Sequence, residues 1–277
     1  MIELISPCQV ALAEEHGMAF AHAMQKAASV QDQAAGFTWL EDCRTHDLYE
    51  VIDGVGVIVV SGILVDELPF HGASWITGYN GIRAAVACAL GDASVKVVAL
   101  LINSPGGMVR GCFELTEYLR SAGEEKPLMA IVKGMATSAA YAVAACAEVI
   151  SVPQTGTVGS IGVYRMHVDC SEQLKASGLK VTFAKAGGQK TDGNPYEPLS
   201  DDVKQRWDEV VEAERDLFAQ DVALGRGITK EAVLATEAAL FEGPVNLIKA
   251  RDLGLIDLIL PPAAAFSRLR EAAAKLN

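Results

Sequence analysis

Three runs of β-branched and aliphatic residues constrain this chain more than any other feature. Val55-Gly56-Val57-Ile58-Val59-Val60, the stretch from Val95 to Ile102, and Leu128 to Val132 are apolar at nearly every position, not at alternate ones. A strand of that kind has to be covered on both faces, which is the habit of parallel sheets with helices packed against them. Between the runs lie segments of helical period. One covers Gly81 to Leu90. Another sends Val109, Phe113, Leu115 and Leu119 inward and leaves Arg110, Glu114, Glu117 and Arg120 for solvent. Repeated strand–helix alternation predicts an α/β fold with a mainly parallel sheet.

Further strands are expected at Val149 to Val152, Ser160 to Val168 and Lys180 to Ala184, and the Val95 run is expected to stop at a Ser-Pro-Gly-Gly turn. Helices are expected over Ala139 to Ala147, Glu172 to Ser177 and Asp201 to Val222. In the last, Val203, Trp207, Val210, Val211, Glu214 and Leu217 trace a stripe. Residues 1–50 are rich in Ala and Gln, helical in character around Val10 to Ala28, and carry no strand signal. They read as an N-terminal helical arm or pro-segment before a domain at 51–260, with a tail helix at 261–277.

Charge narrows the partners. The 23 basic residues against 35 acidic ones give a net charge of −12, which opposes non-specific binding to nucleic acid or to an anionic membrane. Six scattered cysteines with no C-x-x-C pair argue for a reducing compartment, and the cytosol is expected. The N-terminus lacks a basic segment followed by an apolar one, and no apolar run reaches the roughly 18–20 residues of a membrane span. The expectation is a protein with neither signal peptide nor membrane anchor. No metal spacing such as H-E-x-x-H occurs among His16, His22, His46 and His71, and no cofactor motif is present.

Chemistry concentrates in three places. Ser138 stands in Gly134-Met135-Ala136-Thr137-Ser138-Ala139-Ala140-Tyr141, where an apolar strand gives way to a helix of small residues. A serine there serves as an N-cap, and its oxygen also gains from the helix dipole if it becomes anionic. Lys190 stands in the glycine-flanked loop Gly187-Gly188-Gln189-Lys190-Thr191-Asp192-Gly193-Asn194-Pro195. A lysine acts as a base only when neutral. Burial has to enforce that, and Asp192 would have to point elsewhere. Asn103-Ser104-Pro105-Gly106-Gly107 offers backbone N–H groups to an oxyanion, with Gly107 donating from one side and Ala139 from the other. Nucleophile, base and oxyanion hole together make a serine–lysine hydrolase.

These segments resemble the signal peptide peptidase A (S49) family of serine peptidases. The shared residues are Ser104-Pro105-Gly106-Gly107, Met135-Ala136-Thr137-Ser138, Gly156-Thr157-Val158-Gly159-Ser160-Ile161-Gly162-Val163 and Lys190. The resemblance is closer to the phage branch, the head-maturation proteases that cleave scaffold during capsid assembly. There it extends to Thr77 to Ile82, Lys190 to Tyr196, Phe218-Ala219-Gln220 and Thr236-Glu237-Ala238-Ala239. It implies a Clp/crotonase-like fold of repeated strand-strand-helix units, with no cofactor. It also implies a homo-oligomeric ring, extended protein substrates near capsid and scaffold proteins, and a host-cytoplasm or prohead location. Within the site it matches Ser160 to a hydroxyl that orients the lysine.

Four rival readings compete with this one. A cellular signal-peptide-peptidase-like enzyme would share the dyad. A Clp-type Ser-His-Asp peptidase would use His167 with Asp169. If Ser160 to Val168 is one strand, however, Ser160 and His167 face opposite sides. A crotonase-type acyl-CoA enzyme would need acid/base carboxylates in place of the dyad, and an inactive ring-forming capsid component would need no dyad at all.

Overall fold

The computed structural model describes residues 10–12, 22, 48–69 and 72–276. Most of the expected N-terminal helical arm lies outside these residues. Of the part that is described, β1 (Val10–Leu12) is a strand and not a helix, while His22 is helical. The apolar runs form β3 (Val55–Val65), β5 (Val97–Met108) and β6 (Leu128–Thr137), which pair in parallel side by side. β2 (Glu50–Ile52) adds antiparallel at one edge, while β7 (Val149–Val152) and β10 (Leu258–Ile259) extend the other edge in parallel. The fold is therefore α/β with a mainly parallel sheet.

Both sheet faces are covered, as the continuous apolar runs require. Val98, Leu100 and Ile102 of β5 face the larger core, under α1 (Tyr79–Gly91), α2 (Cys112–Glu125) and α3 (Ala139–Ala145). Their neighbours Val97 and Ala99 face the opposite side, where Ala265, Leu269 and Ala273 of α8 (Pro262–Ala273) close a second, smaller core. Strand alternation thus feeds two cores from one run. The helices α4 (Ser171–Ala176), α5 (Asp201–Arg226), α6 (Lys230–Leu234) and α7 (Gly243–Asp252) lie between α3 and α8 in sequence.

Beyond the flat part of the sheet, β3 and β5 bend together. The register slips between Ser61 and Ile63 and again between Ile102 and Ser104. Gly62 sits at the first slip with φ 70°, and a Cβ there would stand 2.0 Å from the Trp75 carbonyl carbon. Bulges of this sort bend strands and re-aim the residues beyond them. Past the bend, β3 pairs with β4 (Ile76–Gly78), and β6 pairs with β8 (Thr157–Gly159), which in turn pairs with β9 (Leu240–Glu242).

Several local expectations are corrected. β5 does not stop at Ser104-Pro105-Gly106-Gly107 but continues through it to Met108, because Gly106 and Gly107 pair with Ile63 and Leu64 of β3. Ser160 to Val168 and Lys180 to Ala184 are not strands. On α5 the buried stripe is Val203, Phe218, Ala219, Val222 and Ala223, while Val210 and Leu217 are exposed. Arg120 is not a solvent residue, since it pairs with the buried Asp221 at 2.6 Å.

Candidate active site

α3 is a helix of small residues because it is buried from end to end, all seven of Ala139 to Ala145 lying inside the core. Its one large side chain, Tyr141, donates its hydroxyl to Leu255 O at 2.7 Å. On its other flank Gly225 of α5 comes so near that a Cβ would meet Ala145 O at 2.2 Å. A helix wedged in this way fixes the turn that precedes it.

That turn is Ser138. Its φ of 54° and ψ of −127° are a backbone state that non-glycine residues seldom occupy, at a cost of about 1–3 kcal/mol. The N–H donates to Gly159 O at 2.8 Å, and the carbonyl accepts from Tyr141 N–H at 2.7 Å and Ala142 N–H at 3.0 Å. Every main-chain group is engaged, yet Oγ is 0% exposed and has no hydrogen-bond partner. Ser138 takes the N-cap position without making the side-chain capping bond. A buried hydroxyl left without a partner in a strained turn does no work for the fold.

The surrounding segments converge on it. Thr137 donates its hydroxyl to Pro105 O at 3.0 Å, which ties the Ser104–Gly107 segment to the Ser138 turn, and within that segment Gly106 N–H donates to Ser104 Oγ at 3.1 Å. Gly107 is locked by space, since a Cβ there would lie 1.7 Å from Leu64 O. On the far side Ser160 follows Gly159, the acceptor for Ser138. It too has a φ of 54°, and its N–H donates to Ala239 O at 3.0 Å. Glu237 and Ala238, just before Ala239, have φ of 50° and 55°. Of the five non-glycine residues with positive φ among those described, four therefore gather around this one turn. Sequence reasoning assigned no role to Thr137, Gly159 or Glu237-Ala238. The Thr236 to Ala239 motif was the signal available for the last pair.

Ser138, Ala139, Ser160 and Gly107 thus come to one end of the sheet. Lys190 does not join them within the chain. Its side chain is exposed, and its backbone N–H closes a turn onto Gly187 O at 3.3 Å. Asp192 does point away, to Arg206 at 2.5 Å. His167 is no partner of Ser138 either. Its Nε2 lies 2.9 Å from Asn194 O and its ring stacks edge-on against Trp207, while Asp169 accepts from Ser171 N–H at 2.8 Å. Nor do the core thiols offer a nucleophile. Burial pushes Cys112 up to about 12 and Cys146 well above the usual thiol range, so both stay protonated and inert.

Among the described residues no helix is long and apolar enough to cross a membrane. Residues 120–277 match the family model described as peptidase family S49. The chain is 36% identical over 233 residues to the head-tail preconnector protein of Enterobacteria phage P21, covering 83% of this chain and 45% of that protein. It is 36% identical over 228 residues to capsid assembly protease C of Escherichia phage lambda, covering 81% and 50%. It is 28% identical over 200 residues to protease 4 of Haemophilus influenzae, covering 71% and 31%. The chain spans about half the length of the two phage relatives. With a matching segment that takes in more than half of its residues, this chain belongs to peptidase family S49.

Proposed function

We propose that the protein is a serine endopeptidase acting on extended polypeptide, with Ser138 as nucleophile, Lys190 as general base and the N–H groups of Gly107 and Ala139 as oxyanion hole. The observation that carries this reading is the buried, partnerless Oγ of Ser138 in its strained turn, in a chain of this family. In the first half-reaction Lys190 Nζ takes the hydroxyl proton as Oγ bonds to the scissile carbonyl carbon. The oxyanion is held by the two N–H groups, the C–N bond breaks, and the lysine returns the proton to the leaving amine. Water then attacks the acyl-enzyme, gives its proton to the same lysine, and the acid leaves with Oγ reprotonated. Ser160 positions the lysine. The phage relatives favour capsid or scaffold proteins as substrates, within a host cell or prohead.

The base arrives from a second copy of the chain in this reading. Lys190 belongs to the lobe 164–200, which is held to α5 by Arg165 lying 3.9 Å over the Trp207 ring and by the Asp192–Arg206 pair. The lobe leaves Leu179, Val181 and Phe183 exposed, at 61%, 41% and 41%. Their alternation with Lys180 and Thr182 is a strand pattern with no strand beside it among the described residues, which suits burial against a neighbouring subunit. A serine-directed fluorophosphonate tests the nucleophile. Covalent labelling at Ser138, lost in Ser138→Ala along with hydrolysis of an unfolded protein, is the expected result. Hydrolysis that survives Ser138→Ala would refute it.

A further inference from the structure

Each strand offers two edges, and the end of β5 uses both. Gly106 and Gly107 pair with Ile63 and Leu64 of β3 on one side. On the other side β6 keeps company with β5 only as far as Ser104 opposite Ala136, and then turns away through Thr137 into Ser138. The row beside Gly106–Met108 is thereby vacated, and β1 fills it. β1 runs antiparallel to β5, with Leu12 opposite Gly106, Ala11 opposite Gly107 and Val10 opposite Met108. With Ala136 opposite Ser104 and Leu12 opposite Gly106, the backbone of Leu12 enters the row where β6 left it. That is the place Ser138 would have held had β6 gone straight on. The second observation is independent of the pairing: Ser138 is fully buried and its Oγ has no partner.

We propose that the row beside Gly106–Met108 is the strand-binding site of this enzyme, and that the chain's own Val10–Leu12 segment is its resident occupant, an internal competitor that has to leave before another polypeptide can bind. An extended peptide recognised through main-chain hydrogen bonds is an added strand, and such recognition is tolerant of side chains. The segment's local concentration at this row, being tethered, is on the order of millimolar. A free peptide must outcompete that. The inference rests on the peptidase reading for what the row is used for, but the occupancy itself does not require turnover.

The test reads binding without hydrolysis. A fluorescent peptide of residues 5–17 is titrated by anisotropy against the 277-residue chain carrying Ser138→Ala and against the same chain carrying Ser138→Ala/Ala11→Pro. Proline has no N–H for the ladder and is excluded from a paired strand interior. The expected result is about tenfold tighter peptide binding by the Ala11→Pro form, with its melting temperature within a few degrees of the parent. Equal affinities in the two proteins would overturn the proposal, and so would failure of the peptide to bind either one at millimolar concentration. If wild-type protein digests an unfolded substrate while the two affinities are equal, the peptidase reading stands and the occupant falls. If Ala11→Pro tightens binding in a protein that never hydrolyses, the occupant stands and the peptidase reading falls.

Discussion

Ser138 holds a hydroxyl that contributes nothing to the fold, which makes its replacement unusually informative. Leaving a buried hydroxyl unpaired costs about 1–3 kcal/mol, so Ser138→Ala is expected to remove all hydrolysis while raising stability by about 1 kcal/mol. Ser138→Gly should gain roughly a further 1 kcal/mol, since glycine accepts a φ of 54° without the steric cost. Denaturant melts of the three proteins check this, and an alanine variant less stable than wild type would show that Oγ holds something in place. Gly107 is the converse case. Any side chain there runs into the Leu64 carbonyl 1.7 Å away, so Gly107→Ala must push β5 off β3 at the mouth of the site. Loss of hydrolysis by at least a hundredfold is expected, the scale on which an oxyanion donor acts, and is measured as kcat/KM on an unfolded substrate.

Among the elements, the parallel strands were legible because their apolar runs allow no other reading, and the helices because their period does. What escaped the sequence was decided by distant pairing. Pro105-Gly106-Gly107 reads locally as a turn, yet β3 lies alongside and the strand continues. Val10-Ala11-Leu12, in an Ala-rich stretch, reads as helix, yet it is taken up by the edge of β5. Lys180 to Ala184 alternates as a strand does but finds no partner strand among the described residues. The Ser138 turn was legible, and the exposure of Lys190 is the ordinary state of a lysine in a glycine-rich loop. Nothing in the sequence sets Asp221 apart from the other acidic residues of α5, and a solvent position would be the default. Instead it is buried between α2 and α5, accepting from Thr116 Oγ1 at 2.9 Å as well as from Arg120, with its second oxygen unpartnered. Burial raises the pKa of this carboxyl, outweighing the Arg120 guanidinium that lowers it. A raised carboxyl favours the fold at low pH and loses that advantage as pH climbs through its folded value. Arg120→Ala strips away the opposing charge, so the penalty on ionised Asp221 grows. The expected loss is about 3 kcal/mol at pH 8 and distinctly less at pH 4, toward which the raised carboxyl takes up its proton. Equal losses by chemical denaturation at the two pH values would refute a charge-based role for the pair.

At the scale of the whole molecule, the strained Ser138 turn and the exposed Lys190, taken as the proposed nucleophile and base, predict activity that belongs to an assembly. Two dead variants supply the sharpest check. Ser138→Ala keeps Lys190 and its lobe, while Lys190→Ala keeps the Ser138 turn, and each should be inactive alone. If the lobe of one copy serves the turn of its neighbour, a mixed assembly contains junctions where an intact Lys190 meets an intact Ser138. Co-refolding the two variants in equal amounts should then restore about a quarter of wild-type hydrolysis, the share expected when both contributors to a junction are drawn at random. If serine and lysine act within one chain, no mixture can restore anything. Phe183→Asp places a charge at the end of the exposed apolar pattern and should lower both the oligomer mass in light scattering and the hydrolysis rate together. A Phe183→Asp protein that sediments as a monomer yet cleaves at the wild-type rate would show that one chain suffices, and an inactive mixture of the two dead variants would say the same from the other side.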